Sequence, residues 1–458
     1  MVKDGIFIPL NCVDKGFVAL NEIRECLRFH WILRICSEVD YTLLNEALLK
    51  AMEDHPNLRT RLCTRYMRPF RRIYDAREGN IMTRLDLYQL QQANGLTAAE
   101  VDKRYEEILA NWLNGPFSAF EEFPLRVLFI RKSSSDLYLI FTFDHSALDG
   151  LRAIRFIREV FRRYDGDETP KISLLKDFRH SKGDELLEFA RAKRAKTKGF
   201  RHRILFNLLH RFLVGPIRPP ARIFCHSSRW SEEINCCFRM MDPVDTGQIG
   251  VKARAAHVTV NDVLLAACFK AIERWNGLHG KKSQKITIMV PVDIGPVTFG
   301  DVISNQLSYI SLATLPRDRE DVLVMLRKIR KDITSMVKEG IQFSIIYFLH
   351  FASALPLPLA KVLAKSFMLT RVYVDTTIFS NLGVVHPESW EKSRISSARI
   401  ADINGVMPLV TPMRLSLGAY IYNGSLHFNM TYKTSFFSKD EAQEFLNLYL
   451  EEVRTILK

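Results

Sequence analysis

The chain has 458 residues, 47% hydrophobic and 25% charged, an ordinary globular balance that is too long for one core and suits two domains. Its net charge of +14 fits nucleic acid, an anionic membrane surface, an acidic carrier protein or a phosphorylated cofactor as partner, and charge alone does not choose among them. The eight cysteines are scattered without a CxxC pair or a Cys/His zinc spacing, which excludes a zinc site and predicts reduced, buried thiols in a cytosolic protein.

The opening MVKDGIFIPLNC lacks a basic head and a long apolar core, so no signal peptide is read. Phe29 to Val39 reads as a strand, with Trp31, Leu33 and Ile35 alternating against Ile32 and Cys36. Asp40 then caps a helix with Leu43, Leu44, Ala47, Leu48 and Met52 inward, ended by His55-Pro56. His55 is read as a loop residue with no catalytic role. Gln91 to Leu113 is expected to be one helical segment. Phe123–Arg131 and Leu137–Phe143 are expected to pair as strands across the turn at Ser133–Asp136.

The second of these strands runs into FTFDHSALDG, residues 141 to 150. The apolar run stops at Asp144, His145 follows, and Leu151, Ile154, Ile157, Val160 and Phe161 then recur at helical spacing to about Tyr164. His145 therefore stands in a turn leaving a strand, where a scaffold can fix an imidazole and a ligand can still reach it. Histidine titrates near neutrality, so it can take a proton from a hydroxyl or amine and return it. Asp149 can fold back to hold the turn. Gly150 permits unusual backbone angles or a close ligand approach. A turn histidine followed by an aspartate helix cap is the plainest account of the same residues.

Residues 165–229 are the least regular stretch and the best linker candidate. Arg191, Lys193, Arg194, Lys196, Lys198, Arg201 and Arg203 form a basic run, followed by Ile204, Leu205, Leu208, Leu209, Phe212 and Leu213 at helical spacing. Such a helix can lie on an anionic membrane, cap an acyl channel, dock an acidic carrier, or simply pack its apolar side on the protein. No zinc finger, RNP-like string or aromatic platform supports nucleic acid.

In the C-terminal half, Thr259 and Asp262 have capping-box spacing before a helix with Leu264, Leu265, Cys268, Ala271, Ile272 and Trp275 inward. Strands are expected at Lys285–Val292 and from Asn305 through Leu312, and a helix at Glu320–Lys338 with Val322, Leu323, Leu326, Ile329 and Ile333 inward. Ile341 to Ala360 has no Lys, Arg, Asp or Glu and reaches the roughly 20 residues of a membrane span. Pro356 and Pro358 break it, so it is expected to line a greasy pocket or fill the core. Asn423-Gly424 marks a hairpin, and Ser438 with Glu441 caps a last helix ending near Leu457.

Several of these strings resemble one superfamily. His145, Asp149 and Gly150 match the HxxxDG signature of thioester-dependent acyltransferases, which include chloramphenicol acetyltransferase, condensation domains of nonribosomal peptide synthetases, wax ester synthases and alcohol acetyltransferases. HPNLRTRL after the first helix, TVNDVLLAA at residues 259 to 267, and SNLG at residues 380 to 383 resemble further stretches of that group. The sequence departs from it twice. Asp144 stands where most condensation domains carry a second histidine, and Ile294-Gly295 stand where relatives often have an arginine.

The resemblance covers nearly the whole chain and implies an α/β fold of two chloramphenicol acetyltransferase-like lobes with a channel between them. The lobes are expected at residues 1–175 and 236–458, with residues 176–235 crossing over. It implies an acyltransferase moving an acyl group from acyl-CoA or an acyl carrier protein to a hydroxyl or amine. His145 is the expected general base and no acyl-enzyme forms. It further implies that Asp149 points away from substrate and pairs with an arginine. Ser380 or Asn381 is expected either to contact the developing oxyanion or to satisfy local backbone groups. No permanent cofactor and no metal are expected; acyl-CoA or a phosphopantetheine thioester is the co-substrate. The rival expectations are a free-standing condensation domain acting in trans and a non-catalytic homologue that binds a carrier or a membrane surface. The expected location is cytoplasmic, with peripheral membrane contact through residues 191–214, and nucleic acid is not an expected partner.

Overall fold

Alternating apolar residues and well-marked turns build three sheets. The computed structural model describes residues 6–21, 27–167, 190–192, 200–209, 219–227, 231–294, 304–369, 375–385 and 400–456. The first half supplies β1 (Phe7–Pro9), β2 (Arg28–Ile35), β3 (Thr60–Arg65), β4 (Arg68–Ile73), β5 (Met82–Asp86), β6 (Leu125–Arg131) and β7 (Leu137–Asp144). The second half supplies β8 (Ile234–Met241), β9 (Ile286–Asp293), β10 (Leu307–Thr314), β11 (Thr377–Val384), β12 (Ile400–Val406), β13 (Leu415–Tyr422) and β14 (Ser425–Lys433).

In the first lobe the sheet order is β12-β2-β7-β6-β5, and β1-β4-β3 form a small sheet beside it. In the second lobe the order is β10-β9-β11-β13-β14-β8. One strand crosses the expected lobe division: β12, from the C-terminal half, pairs antiparallel with β2. The mixed α/β architecture agrees with the expected fold class.

Strand period decides which core each face joins. On β2, Trp31, Leu33 and Ile35 join the core under the helices Tyr41–Asp54 and Gly150–Tyr164, whereas Ile32 joins the cluster under the helix Ala98–Asn114. The helix Val260–Leu278 anchors the second core with Leu264, Leu265, Cys268, Ala271, Ile272 and Trp275 fully buried.

The two lobes repeat one local unit. β6 and β7 pair antiparallel and lead through a turn into Gly150–Tyr164; β13 and β14 pair and lead through a like turn into the helix Lys439–Thr455. The turns match at their first bond: Ala147 N–H donates to Asp144 O, and Phe436 N–H to Lys433 O, each at 3.0 Å. Asp149 and Ser438 then cap the two helices. The place of His145 is held by Thr434 in the second lobe.

The caps expected at Asp40, Thr259 and Ser438 are present, and Asn423-Gly424 turns the last hairpin with φ of 48° and 75°. Other expectations are corrected. The segment 91–113 is two helices, Leu87–Asn94 and Ala98–Asn114, because Gly95 takes a left-handed φ of 64° and Thr97 starts a new capping box. The first long strand ends at Ile35 rather than Val39. Leu43, Leu205 and Leu323 point outward, at the margins of their apolar stripes.

The stretch after residue 340 forms a short turn, the helix Ser344–Ser353 and the helix Leu357–Leu369. Among the described residues no single helix is long and apolar enough to cross a membrane. Of the basic run and its apolar continuation, the described part is Ala190–Ala192 and the helix Phe200–Leu209; residues 193–199 and 210–214 lie outside the described residues. Ile204 of that helix is buried, and the helix packs on Ser344–Ser353.

Candidate active site

β7 delivers the chain into the His145 turn, and backbone bonds fix the turn from three sides. His145 N–H donates to Leu27 O at 3.0 Å, joining the turn to the start of β2. Asp144, the residue in the second-histidine position, accepts from Asn21 Nδ2 at 3.1 and 3.2 Å and from Ser146 N–H at 2.6 Å. Its carboxylate therefore ties the helix Cys12–Asn21 to the turn. Arg71 Nη2 donates to Ser146 Oγ at 2.8 Å, and Asn57 Nδ2 donates to Ala147 O.

The imidazole of His145 is 8% exposed and held by two rings. Phe17 stacks on it at 4.3 Å between centroids, and Phe29 meets it edge-on at 5.2 Å. Nδ1 is buried without a well-directed partner among the described residues, and the residue lines the cavity. Burial pushes the pKa of His145 below 6.5; its own carbonyl, Asp149, Asn305 and Asp144 oppose the shift. The ring is therefore neutral at physiological pH, with a lone pair to offer. Accordingly, the acid limb of the kcat/KM profile for turnover is expected below pH 6.5, because that profile reports the free enzyme's base. An acid limb above that value would contradict the environment described.

The second lobe braces the same turn. Asn305 Nδ2 donates to His145 O at 2.7 Å and to Asp14 Oδ1 at 2.8 Å. Asp149 caps its helix through Arg152 N–H at 3.1 Å and accepts from Gln306 N–H at 2.9 Å. Its arginine partner is Arg152, at 3.4 Å, which also reaches Asp293 at 3.0 Å and Gln306 Oε1 at 2.8 Å. Arg152 thus clamps the helix after the histidine to β9 and to the approach to β10.

Burial raises the pKa of Asp14 to about 7, with Arg71 and Asn305 opposing. The unfolded carboxyl ionises near 3.8 while the folded one keeps its proton up to about 7. The stability this group contributes is complete below the unfolded value and lost as pH rises through 7. Asp14→Asn removes that loss, so the melting temperature of the variant is expected to fall less than the parent's as pH rises from 3.8 to about 7. Equal dependence of the two melting temperatures on pH across that window would count against it.

Both lobes line a cavity of about 810 Å³, to which His145, Asp149, Gly150, Ser380 and Asn381 all contribute. Most of the rest is apolar, including Leu349, Leu355 and Leu357 of the stretch expected to line a greasy pocket. Gly150 has no positive φ, and a Cβ there would meet only Leu382 at 3.9 Å. The expected unusual backbone angle is therefore absent at Gly150, which instead forms part of the cavity wall. Asn381 is engaged at both ends of its amide, donating to Asn261 Oδ1 at 3.1 Å and accepting from Gly383 N–H at 2.9 Å. His55 packs edge-on against Phe156 and is absent from the cavity wall.

Sequence reasoning missed Phe17, Asn305, Arg152 and a second histidine in the cavity wall. His30, on β2, lines the cavity; its Nδ1 lies 2.9 Å from Thr142 Oγ1, which also accepts from Trp112 Nε1 at 2.8 Å. His30 Nε2 is buried without a partner among the described residues. The only sequence cue was an unpaired polar residue inside an apolar strand. Among the described residues no group of histidine, cysteine or acidic side chains is arranged to hold a metal, and no disulfide forms.

No protein-family model matches the chain, and no curated protein is similar to it. Solved structures are. The first condensation domain of the calcium-dependent antibiotic synthetase, solved with a substrate analogue, superposes with a TM-score of 0.70 at 12% identity, covering 99% of this chain and 97% of that one. Trichothecene 15-O-acetyltransferase from Fusarium sporotrichioides gives 0.68 at 12% identity, covering 98% and 95%. The starter condensation domain of rhizomide synthetase, solved with C8-CoA and a leucine thioester analogue, gives 0.67 at 11% identity, covering 98% and 94%. The chain has the two-lobed fold of condensation domains and chloramphenicol acetyltransferase-like enzymes. That is the fold to which the HxxxDG resemblance pointed.

Proposed function

We propose that the protein is an acyltransferase that moves an acyl group from a thioester to a hydroxyl or amine in the cavity between its lobes. One observation carries the reading: a buried imidazole, clamped by Phe17 and Phe29 and kept neutral by its burial, stands in the wall of a largely apolar cavity that both lobes line. In this reading Nε2 takes the acceptor's proton as its oxygen or nitrogen attacks the thioester carbonyl. The carbonyl becomes an oxyanion in a tetrahedral intermediate. The carbon–sulfur bond then breaks, and the imidazolium returns the proton to the thiolate, so no acyl-enzyme is needed.

Ser380 is the better candidate for the oxyanion contact, because it lines the cavity and Asn381 is spent on structure. Asp149 acts as a positioning residue through Arg152 and Gln306. Asp144 is locked by Asn21 and Ser146, which leaves one histidine on this turn and favours a stand-alone transferase over a peptide-forming condensation domain. The donor is acyl-CoA or a carrier-bound phosphopantetheine thioester.

Thiol release should be measured with acyl-CoA and acyl-carrier donors of several chain lengths, each against alcohol and amine acceptors. Acceptor-dependent release from acyl-CoA is the expected result. Release from carrier-bound donors alone would favour the condensation reading, and no release from any pair would end the catalytic one.

A further inference from the structure

The β3–β4 hairpin and the helices Ser344–Ser353 and Leu357–Leu369, which contribute to the cavity wall, have features the catalytic reading does not use. β3 and β4 are joined at Tyr66-Met67, and both residues have positive φ, 51° and 58°. Such a tight hairpin turn favours Asn-Gly, and large side chains there are strained. Both side chains stand in solvent, Tyr66 at 85% and Met67 at 59% exposure. The fold therefore gains no core contact from them.

The turn is tied to a second apolar element. Leu357 N–H donates to Met67 O at 2.8 Å, which sets the tip beside the start of the helix Leu357–Leu369. Leu359 on that helix is exposed, as is Phe351 on the preceding helix. Isolated apolar residues on a surface are ordinary; a group gathered at the tips of adjoining elements marks an interaction site.

The two segments that carry this group have charge of one sign. Between Asp54 and Asp75 the chain has no acidic residue, and of its six arginines Arg65 and Arg68, flanking the turn, are exposed whereas Arg71 is buried under the His145 turn; between Glu339 and Asp375 there is again no acidic residue. Arg65 lies over the rings of both Phe7 and Tyr66, at 5.9 and 5.6 Å. The same segments reach the cavity, whose wall includes Pro69, Leu355, Leu357 and Ala360.

We propose that this face, centred on Tyr66, Met67, Phe351 and Leu359, docks the protein on an anionic phospholipid bilayer with the cavity mouth turned toward the lipid. Protruding apolar side chains with Arg65 and Arg68 exposed beside the hairpin turn suit insertion at the headgroup–acyl boundary with attraction to anionic lipid. An acidic carrier protein would match the arginines but leave the projecting side chains in water. Its residues are distinct from the amphipathic stretch that the sequence suggested for membrane contact, whose described helix Phe200–Leu209 packs on the helix that carries Phe351. It does not depend on the reaction at His145.

Flotation of the full chain with vesicles of phosphatidylcholine, with and without phosphatidylserine, tests this. The protein is expected to float with the anionic vesicles and to be released by high salt. Tyr66→Asn with Met67→Gly gives the turn the residues it prefers, so the variant should fold at least as stably while its vesicle affinity falls about tenfold or more. Phe351→Ser with Leu359→Ser should weaken binding by a similar factor from the other element. His145→Ala should float like the parent. A parent that stays in the soluble fraction, or two double variants that float as it does, would overturn the proposal. So would capture of an acidic carrier protein by this face without vesicle binding.

Discussion

His145→Ala is expected to slow acyl transfer by about 10²–10⁴-fold, the usual contribution of a positioned general base. That range corresponds to about 2.7–5.4 kcal/mol of transition-state stabilisation. The loss should fall on kcat, with the KM for the thioester little changed, because the imidazole acts on a proton that moves only as the bond forms. Alanine also leaves a void between Phe17 and Phe29, whose rings now contact the imidazole at 4.3 and 5.2 Å, so some stability is lost as well. His145→Gln separates the two effects: it refills much of the space but supplies no base. If the glutamine variant keeps parental turnover, the imidazole is a packing group and the proposed chemistry is wrong.

The parts of the fold that were legible in the sequence are those written in short-range contacts. The helix caps at Asp40, Thr259 and Ser438 bond three residues ahead, and the Asn423-Gly424 turn closes on itself. Such signals do not depend on the rest of the chain. Helical periodicity was less exact at its margins, since it reports an apolar stripe and not how far the neighbouring sheet covers it. Leu43, Leu205 and Leu323 are exposed for that reason.

The site was half legible. A histidine, an aspartate and a glycine in one turn can be seen in ten residues. The groups that brace them cannot: Asn305 meets His145 across 160 residues and Arg152 meets Asp293 across 141. Pairing of β12 with β2 brings residues some 370 apart into register, and no local pattern announces it. The partner of Asp149 was close at hand, three residues on. A helix with several arginines gave no reason to prefer one until the fold showed which of them is buried against the second lobe.

Removal of that arginine is expected to have the largest effect on stability. Arg152 is 4% exposed, and its guanidinium serves Asp149, Asp293 and Gln306 together. Breaking a buried ion pair from one side costs about 3–5 kcal/mol, because the other charge stays desolvated. Asp149 keeps two backbone donors, Arg152 N–H and Gln306 N–H, so Arg152→Ala should fall near the lower end, about 3 kcal/mol. Arg152→Lys restores charge but not the planar fork that reaches several acceptors, so it should recover only part of the loss. Asp149→Asn combined with Arg152→Met removes both charges and should be less destabilised than Arg152→Met alone, which shows the two sites to be coupled. Urea unfolding of the four variants measures all of this. A midpoint for Arg152→Ala equal to the parent's would mean that the clamp does not hold the lobes. Turnover adds a second readout: the clamp fixes the helix that begins five residues after His145, so kcat should fall even at temperatures where the variant remains folded, since small displacements of a catalytic group are costly.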